Sequence, residues 1–186
     1  MPRLRRWLVP FAALIAAAST RAGAEAAPQN LPDLPAPAPE ARAERAAQAT
    51  TNVALVERAE RHREEAGETA RLLDAARAQI GDGYASGAGG PDAFDCSGLT
   101  AYVFATADVA LPHSSHAQAA LGRPVARDDV RRGDLVFFST AGAGASHVGV
   151  ATSSTTVISA TNSGVMEHST QDAYWGGHYV TARRLR

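Results

Sequence analysis

The chain has one cysteine, Cys96, in 186 residues. An internal disulfide is therefore excluded, and a thiolate-based structural zinc site lacks its ligands. No strong charge of either sign is present: the formal net charge is −1, with 20% charged residues. That balance lacks the basic footprint of a nucleic-acid binder, so no nucleic-acid partner is expected. The apolar run at residues 7–18 is short for a membrane span. The glycine-rich stretch at 83–90 lacks the lysine and spacing of a phosphate-binding loop. In residues 41–70 the apolar seam is too thin for a sustained coiled coil. No internal repeat is visible.

What is present begins with Arg3, Arg5 and Arg6, then the apolar run, then Ala22-Gly23-Ala24. This order predicts a signal peptide over residues 1–24, cleaved after Ala24. No lipid-attachment cysteine follows. Cleavage removes four arginines and no acid, taking the formal charge from −1 to −5. The expectation is a secreted protein acting at the cell wall, with no stable membrane insertion once the signal is removed. A long linker follows over residues 25–67. Its first part holds Pro28, Pro32, Pro35, Pro37 and Pro39, which favour extended geometry. Its second part, rich in alanine, glutamate and arginine, favours helix on propensity and carries Val53, Leu55 and Val56. The length leaves room for one domain, placed at residues 68–186 and expected to be monomeric. Leu72, Leu73, Ala76 and Ile80 mark one face of its first helix, which Gly81-Asp82-Gly83 should end.

Cys96 lies between a polar, glycine-rich approach and a run in which Leu99, Tyr102 and Val103 recur three and four apart. That spacing predicts a one-sided helix with Asp95 as its cap and Cys96 in its first turn. Unpaired N–H groups there favour a thiolate, the reactive form of the side chain. An inert buried cysteine is the competing explanation. A lone unpaired cysteine in an exported chain nevertheless calls for a chemical reason. Gly98 removes bulk beside the sulfur or permits close packing. The loop before the helix would let Tyr84 reach the nucleophile.

A thiol nucleophile needs a base and a group to orient that base. Residues 135–138 form an unbroken apolar run that suggests a central strand. In the next strand, residues 146–151, Val148 and Val150 point one way and His147 the other. In residues 157–161, Ser159 opposes Ile158 and Ala160. Paired as a hairpin, the two strands bring His147 and Ser159 onto one face, so His147 is the candidate base and Ser159 its orienting partner. Val165 and Met166 suggest a third strand after a turn at Asn162-Ser163-Gly164, and residues 179–182 a last one. His113, His116, His168 and His178 fall on expected loops or termini, with solvent or rim roles. His62 lies on the polar helix.

These residues together resemble the NlpC/P60 family of papain-like cell-wall cysteine peptidases. Phe94-Asp95-Cys96-Ser97-Gly98-Leu99 is similar to the family's nucleophile motif. Leu111-Pro112 with Ser115 and Gln118 resembles its next block. Arg132-Gly133-Asp134-Leu135-Val136-Phe137-Phe138 resembles its strand entry, with arginine where proline is usual. His147-Val148-Gly149-Val150 resembles its catalytic strand, and Tyr174-Trp175 with residues 179–183 its closing segment. The resemblance runs from about Leu72 to the C-terminus. It implies an α+β, papain-like fold in which the nucleophile helix packs on a central antiparallel sheet. The implied activity is a cysteine peptidase that hydrolyses peptidoglycan stem peptides between D-γ-glutamyl and meso-diaminopimelate, without metal or cofactor. The implied roles are Cys96 as nucleophile and His147 as base. Tyr84 would serve the oxyanion and substrate region, and Asp95 and Ser97 the pocket. The chain departs from the family pattern at Ser159, where histidine is usual. It also departs at Gly83 and Ser86, where proline and tryptophan are common. Two alternatives keep the same scaffold: an amidase or acyltransferase on another γ-glutamyl or acyl substrate, and a non-catalytic wall-binding module.

Overall fold

A computed structural model of the chain describes residues 38–185. The expected signal peptide at 1–24 and the proline-rich residues 25–37 lie outside the described residues. The chain divides into two units, residues 1–45 and 46–186; of the first, only the opening turns of a helix are described.

That helix, α1, runs unbroken from Pro39–Ala78. Pro39 is tolerated at the first helical position because its missing N–H would have no intrahelical partner. Glu40 in the first turn and Arg77 in the last complement the helix dipole. The sequence suggested a polar helix up to about residue 70 and a separate helix face at 72–80. The structure joins them. Gly67 costs a helix interior about 1 kcal/mol, which the flanking alanine, glutamate and arginine run absorbs. Only Leu72, Leu73 and Ala76 of α1 are buried, while Val53, Leu55 and Val56 are more than half exposed. Ile80 departs from the expected face: it lies past the helix end and is 46% exposed. The cause is Gly81, whose φ of 101° turns the chain away. Its N–H then bonds the Val165 carbonyl, and the Asp82 carbonyl accepts from the Val165 N–H.

Two short parallel strands follow, β1 (Gly83–Tyr84) and β2 (Ala93–Phe94), so Tyr84 sits on a paired segment rather than in the expected loop. Next come α2 (Cys96–Ala105) and the short α3 (Ser115–Gln118). A six-stranded antiparallel sheet holds β3 (Arg123–Val125), β4 (Leu135–Phe138), β5 (His147–Ala151), β6 (Thr156–Thr161), β7 (Gly164–Ser169) and β8 (Tyr179–Arg184). Its order is β3-β8-β4-β5-β6-β7. A short helix α4 (Ala173–Gly177) precedes β8. The expected α+β class, with the cysteine helix on an antiparallel sheet, is the observed one.

Both faces of the sheet are covered. On one, Leu135, Phe137, Val148, Val150, Ile158 and Ala160 pack with Leu99, Val103 and Phe104 of α2 and Leu72, Leu73 and Ala76 of α1. On the other, Val136, Phe138, Ala151, Val157 and Ala182 form a second core capped by Trp175 and Tyr179. Alternation along β5 therefore separates two interiors, and all five of its residues are buried.

The last strand is tied to the sheet by a buried ion pair. Asp134 is 1% exposed and accepts from Arg184 Nε at 2.7 Å and Nη2 at 2.6 Å; the Arg131 N–H donates to the same carboxylate at 2.8 Å. Removing one partner of a buried pair leaves the other charge uncompensated and typically costs 3–5 kcal/mol. Asp134→Ala is expected to lower unfolding free energy by about 3 kcal/mol in urea titration. A loss below about 0.5 kcal/mol would mean that the pair does not anchor β8.

Candidate active site

Asp95 builds the start of α2. Its backbone is extended and its Oδ1 accepts the Gly98 N–H at 2.7 Å, as a helix cap requires. The same carboxylate accepts from Ser97 Oγ at 3.0 Å and the Gly87 N–H at 2.9 Å, and pairs with His113 Nε2 at 2.9 Å. Burial works to raise its pKa, but the bonds from Gly98, His113, Ser97 and Gly87 outweigh it and hold the carboxyl below its ordinary value. Gly98 answers to packing: a Cβ there would lie 2.1 Å from the Ala88 carbonyl oxygen and 2.8 Å from His113 Nε2. Beneath the helix, fully buried Gln118 donates to the carbonyls of Ser97 and Pro112 and accepts from Thr100 Oγ1. These bonds fix the turn that carries Cys96.

The candidate base approaches from the other face of the sheet. The register of β5 with β6 pairs Val150 with Ile158 and Ala151 with Val157, and goes no further toward His147. The Val148 N–H is thereby released, and it hydrogen-bonds the Cys96 thiol. Cys96, on the α2 side, and His147, on the Trp175 side, line one cavity of about 350 Å³. Tyr84, Thr140, Met166 and Trp175 line it too. His147 is 8% exposed, and its Nε2 lies 3.0 Å from Ser159 Oγ, the pairing expected from strand alternation. Gly149 permits this approach: a Cβ there would sit 2.9 Å from the Ile158 carbonyl oxygen and 3.0 Å from Ser159 Cβ.

Asp95 and Ser97 do not line the cavity among the described residues. The Asp95 carboxylate caps α2, and Ser97, 6% exposed, donates to it. Tyr84 does line the cavity and is 41% exposed.

His168 departs most from its sequence reading. It lies on β7, 9% exposed, not on a rim loop. Its Nε2 is 2.8 Å from Ser159 Oγ, and its ring stacks on Trp175 with centroids 3.8 Å apart at 20°. Trp175 also covers His147 at 5.1 Å. The signal was available in the turn at Asn162-Ser163. Thr161 pairs with Gly164, and counting back sets Val157 opposite His168, on the Ser159 face.

Burial is the leading cause of the shifts at Cys96 and His147. It pushes the Cys96 thiol up, with Asp95 adding to it; the N–H groups of Val148, Ser97 and Cys96 pull the other way without prevailing. It pushes His147 down to about 4, helped by the nearby His168. His168 is itself lowered by burial, against the Ser169 carbonyl and Asp172. Both directions favour the uncharged forms, a thiol and a neutral imidazole. The N–H groups at the helix start favour the thiolate expected from sequence, and desolvation opposes it.

The family model described as the NlpC/P60 family matches residues 81–184. A protein named "probable endopeptidase" from Corynebacterium glutamicum is 48% identical over 100 residues, covering 53% of this chain and 46% of its own length. The chain thus spans about half the length of that curated relative. A Staphylococcus aureus structure of a lipoprotein-like NLP/P60 protein superposes with TM-score 0.60 at 28% identity, over 64% of this chain and 41% of that one. The peptidoglycan hydrolase RipB of Mycobacterium tuberculosis superposes with TM-score 0.56 at 28% identity, over 64% and 65% of the two chains.

An unfolded histidine titrates near 6.5, whereas folded His147 titrates near 4. Between these values the unfolded chain binds a proton that the folded one refuses. Stability should therefore fall as pH drops from about 6.5 through about 4, by about 3 kcal/mol in all. Melting temperatures across that range should show the fall, with a shallower slope in His147→Gln. An equal slope in the variant would locate the titration elsewhere.

Proposed function

Because the chain belongs to the NlpC/P60 family, we propose that it is a cysteine endopeptidase hydrolysing peptidoglycan stem peptides at the D-γ-glutamyl–meso-diaminopimelate bond. The observation that carries the reading is the meeting of Cys96 and His147 in one cavity, with His147 Nε2 held by Ser159. Relatives named as endopeptidases, and a structural neighbour named a peptidoglycan hydrolase, support the substrate class. The choice of bond follows the family resemblance.

His147 Nδ1 removes the proton from Cys96 Sγ as sulfur attacks the scissile carbonyl carbon. The resulting oxyanion is met by the Cys96 N–H at the helix start, with Tyr84 nearby. The C–N bond then breaks, and imidazolium His147 gives its proton to the leaving amine. Neutral His147 next takes a proton from water, whose oxygen attacks the thioester carbon. The C–S bond breaks, the new carboxylic acid leaves, and the proton returns to sulfur. The leader-like residues 1–24 support a site of action outside the cell, at the wall.

Defined stem peptides incubated with the protein and analysed by mass should yield two fragments split at that bond. Cys96→Ala should give none. Fragments from both proteins, or from neither, would contradict the reading. Protein recovered from the culture medium should begin at Glu25, and retention of residues 1–24 in the medium would contradict the export step.

A further inference from the structure

Three polar side chains lie in a row across β5, β6 and β7 on a face that is otherwise apolar: His147, Ser159 and His168. Their donors and acceptors admit a single ordering when both rings are neutral. His168 Nδ1 lies 3.3 Å from the Ser169 carbonyl oxygen, which only accepts, so the proton of His168 sits on Nδ1. His168 Nε2 is then an acceptor. The Ser159 hydroxyl, 2.8 Å away, donates to it. Its one hydrogen spent, Ser159 Oγ meets His147 Nε2 at 3.0 Å as an acceptor, so His147 carries its proton on Nε2. The lone pair of His147 is left on Nδ1, the nitrogen that the proposed attack uses.

We propose that His168 is a positioning residue, which acts through Ser159 to set the tautomer of His147. The proposal rests on the endopeptidase reading, and it extends that reading to a residue on the next strand. The usual orienting group is one side chain. Here a hydroxyl, with one hydrogen and no fixed direction, holds the imidazole, and a hydroxyl rotor left alone serves either tautomer. The second histidine removes that freedom. Trp175 stacks on His168 and lies 5.1 Å from His147, and the Ser159 hydroxyl between the two rings is fully buried. No proton travels along the row during turnover. His147 keeps its Nε2 proton while Nδ1 gains and loses one, and Ser159 accepts throughout.

The direct test is long-range ¹H–¹⁵N correlation of the ring nitrogens in the labelled protein at neutral pH. The wild type should show His147 protonated on Nε2 and His168 on Nδ1. His147 protonated on Nδ1 in the wild type would overturn the proposal without any variant and whatever the protein's activity. In His168→Ala, His147 should become a mixture of tautomers. On a stem peptide, kcat should fall about 10- to 100-fold with KM little changed, less than the ~10⁴ lost when a charged orienting group is removed, because Ser159 remains. His168→Gln, whose amide oxygen can accept from Ser159, should recover most of the rate. Ser159→Ala combined with His168→Ala should be no slower than Ser159→Ala alone. Multiplying losses in that double variant, or unchanged kcat and tautomer in His168→Ala, would overturn it. A wild type with the stated tautomers but no cleavage would instead remove the endopeptidase reading and leave the ordered row standing.

Discussion

The site depends on the point at which β5 stops pairing with β6. A buried backbone N–H must find a partner. Beyond Val150 the ladder no longer supplies one, and the Val148 N–H turns to the sulfur of Cys96. One local break thus does two things. It fixes a thiol that belongs to the α2 side of the sheet, and it lets that thiol share a cavity with a ring from the opposite side. Gly149 makes the arrangement sterically possible, since any side chain there would strike β6. The family resemblance places a glycine two residues after the base, and here its role is visible.

The rest of the molecule supports that meeting from two directions. Asp95, His113, Ser97 and Gln118 are devoted to the first turn of α2. They hold the turn that carries Cys96 in place. On the far side, Phe138 and Trp175 bury a row of polar groups in an apolar core. Such a row is tolerable only if each member is satisfied, because an unpaired group in a low-dielectric interior costs more than a pair gains. Ser159 meets that demand for both histidines at once.

Much of this was legible in the residues. The cap at Asp95 follows from an acid just before a helical spacing. The adjacency of His147 and Ser159 follows from period-two alternation, and both features are local. His168 was obscured because β7 contains exposed Met166 and Glu167 and shows no regular alternation. Its place follows only from register counted through the hairpin turn. The covered second face was likewise hidden. Alternation in β5 suggests a polar side, whereas long-range packing by Phe138, Ala182 and Trp175 makes it an interior. The upward push on the thiol comes from burial, which no motif states. The continuity of α1 was missed for a different reason: a change in composition near residue 68 suggested a boundary, but helix propensity carried through it.

The most direct measurement is the rate at which a small thiol electrophile labels Cys96 in the folded protein at pH 7, for the wild type and His147→Ala. If the ring assists loss of the sulfur proton across the gap between β5 and β6, labelling should slow by at least about tenfold in the variant. Both proteins should label equally once unfolded. An unchanged rate in a folded His147→Ala would mean that sulfur and ring do not work together, and the account would fail.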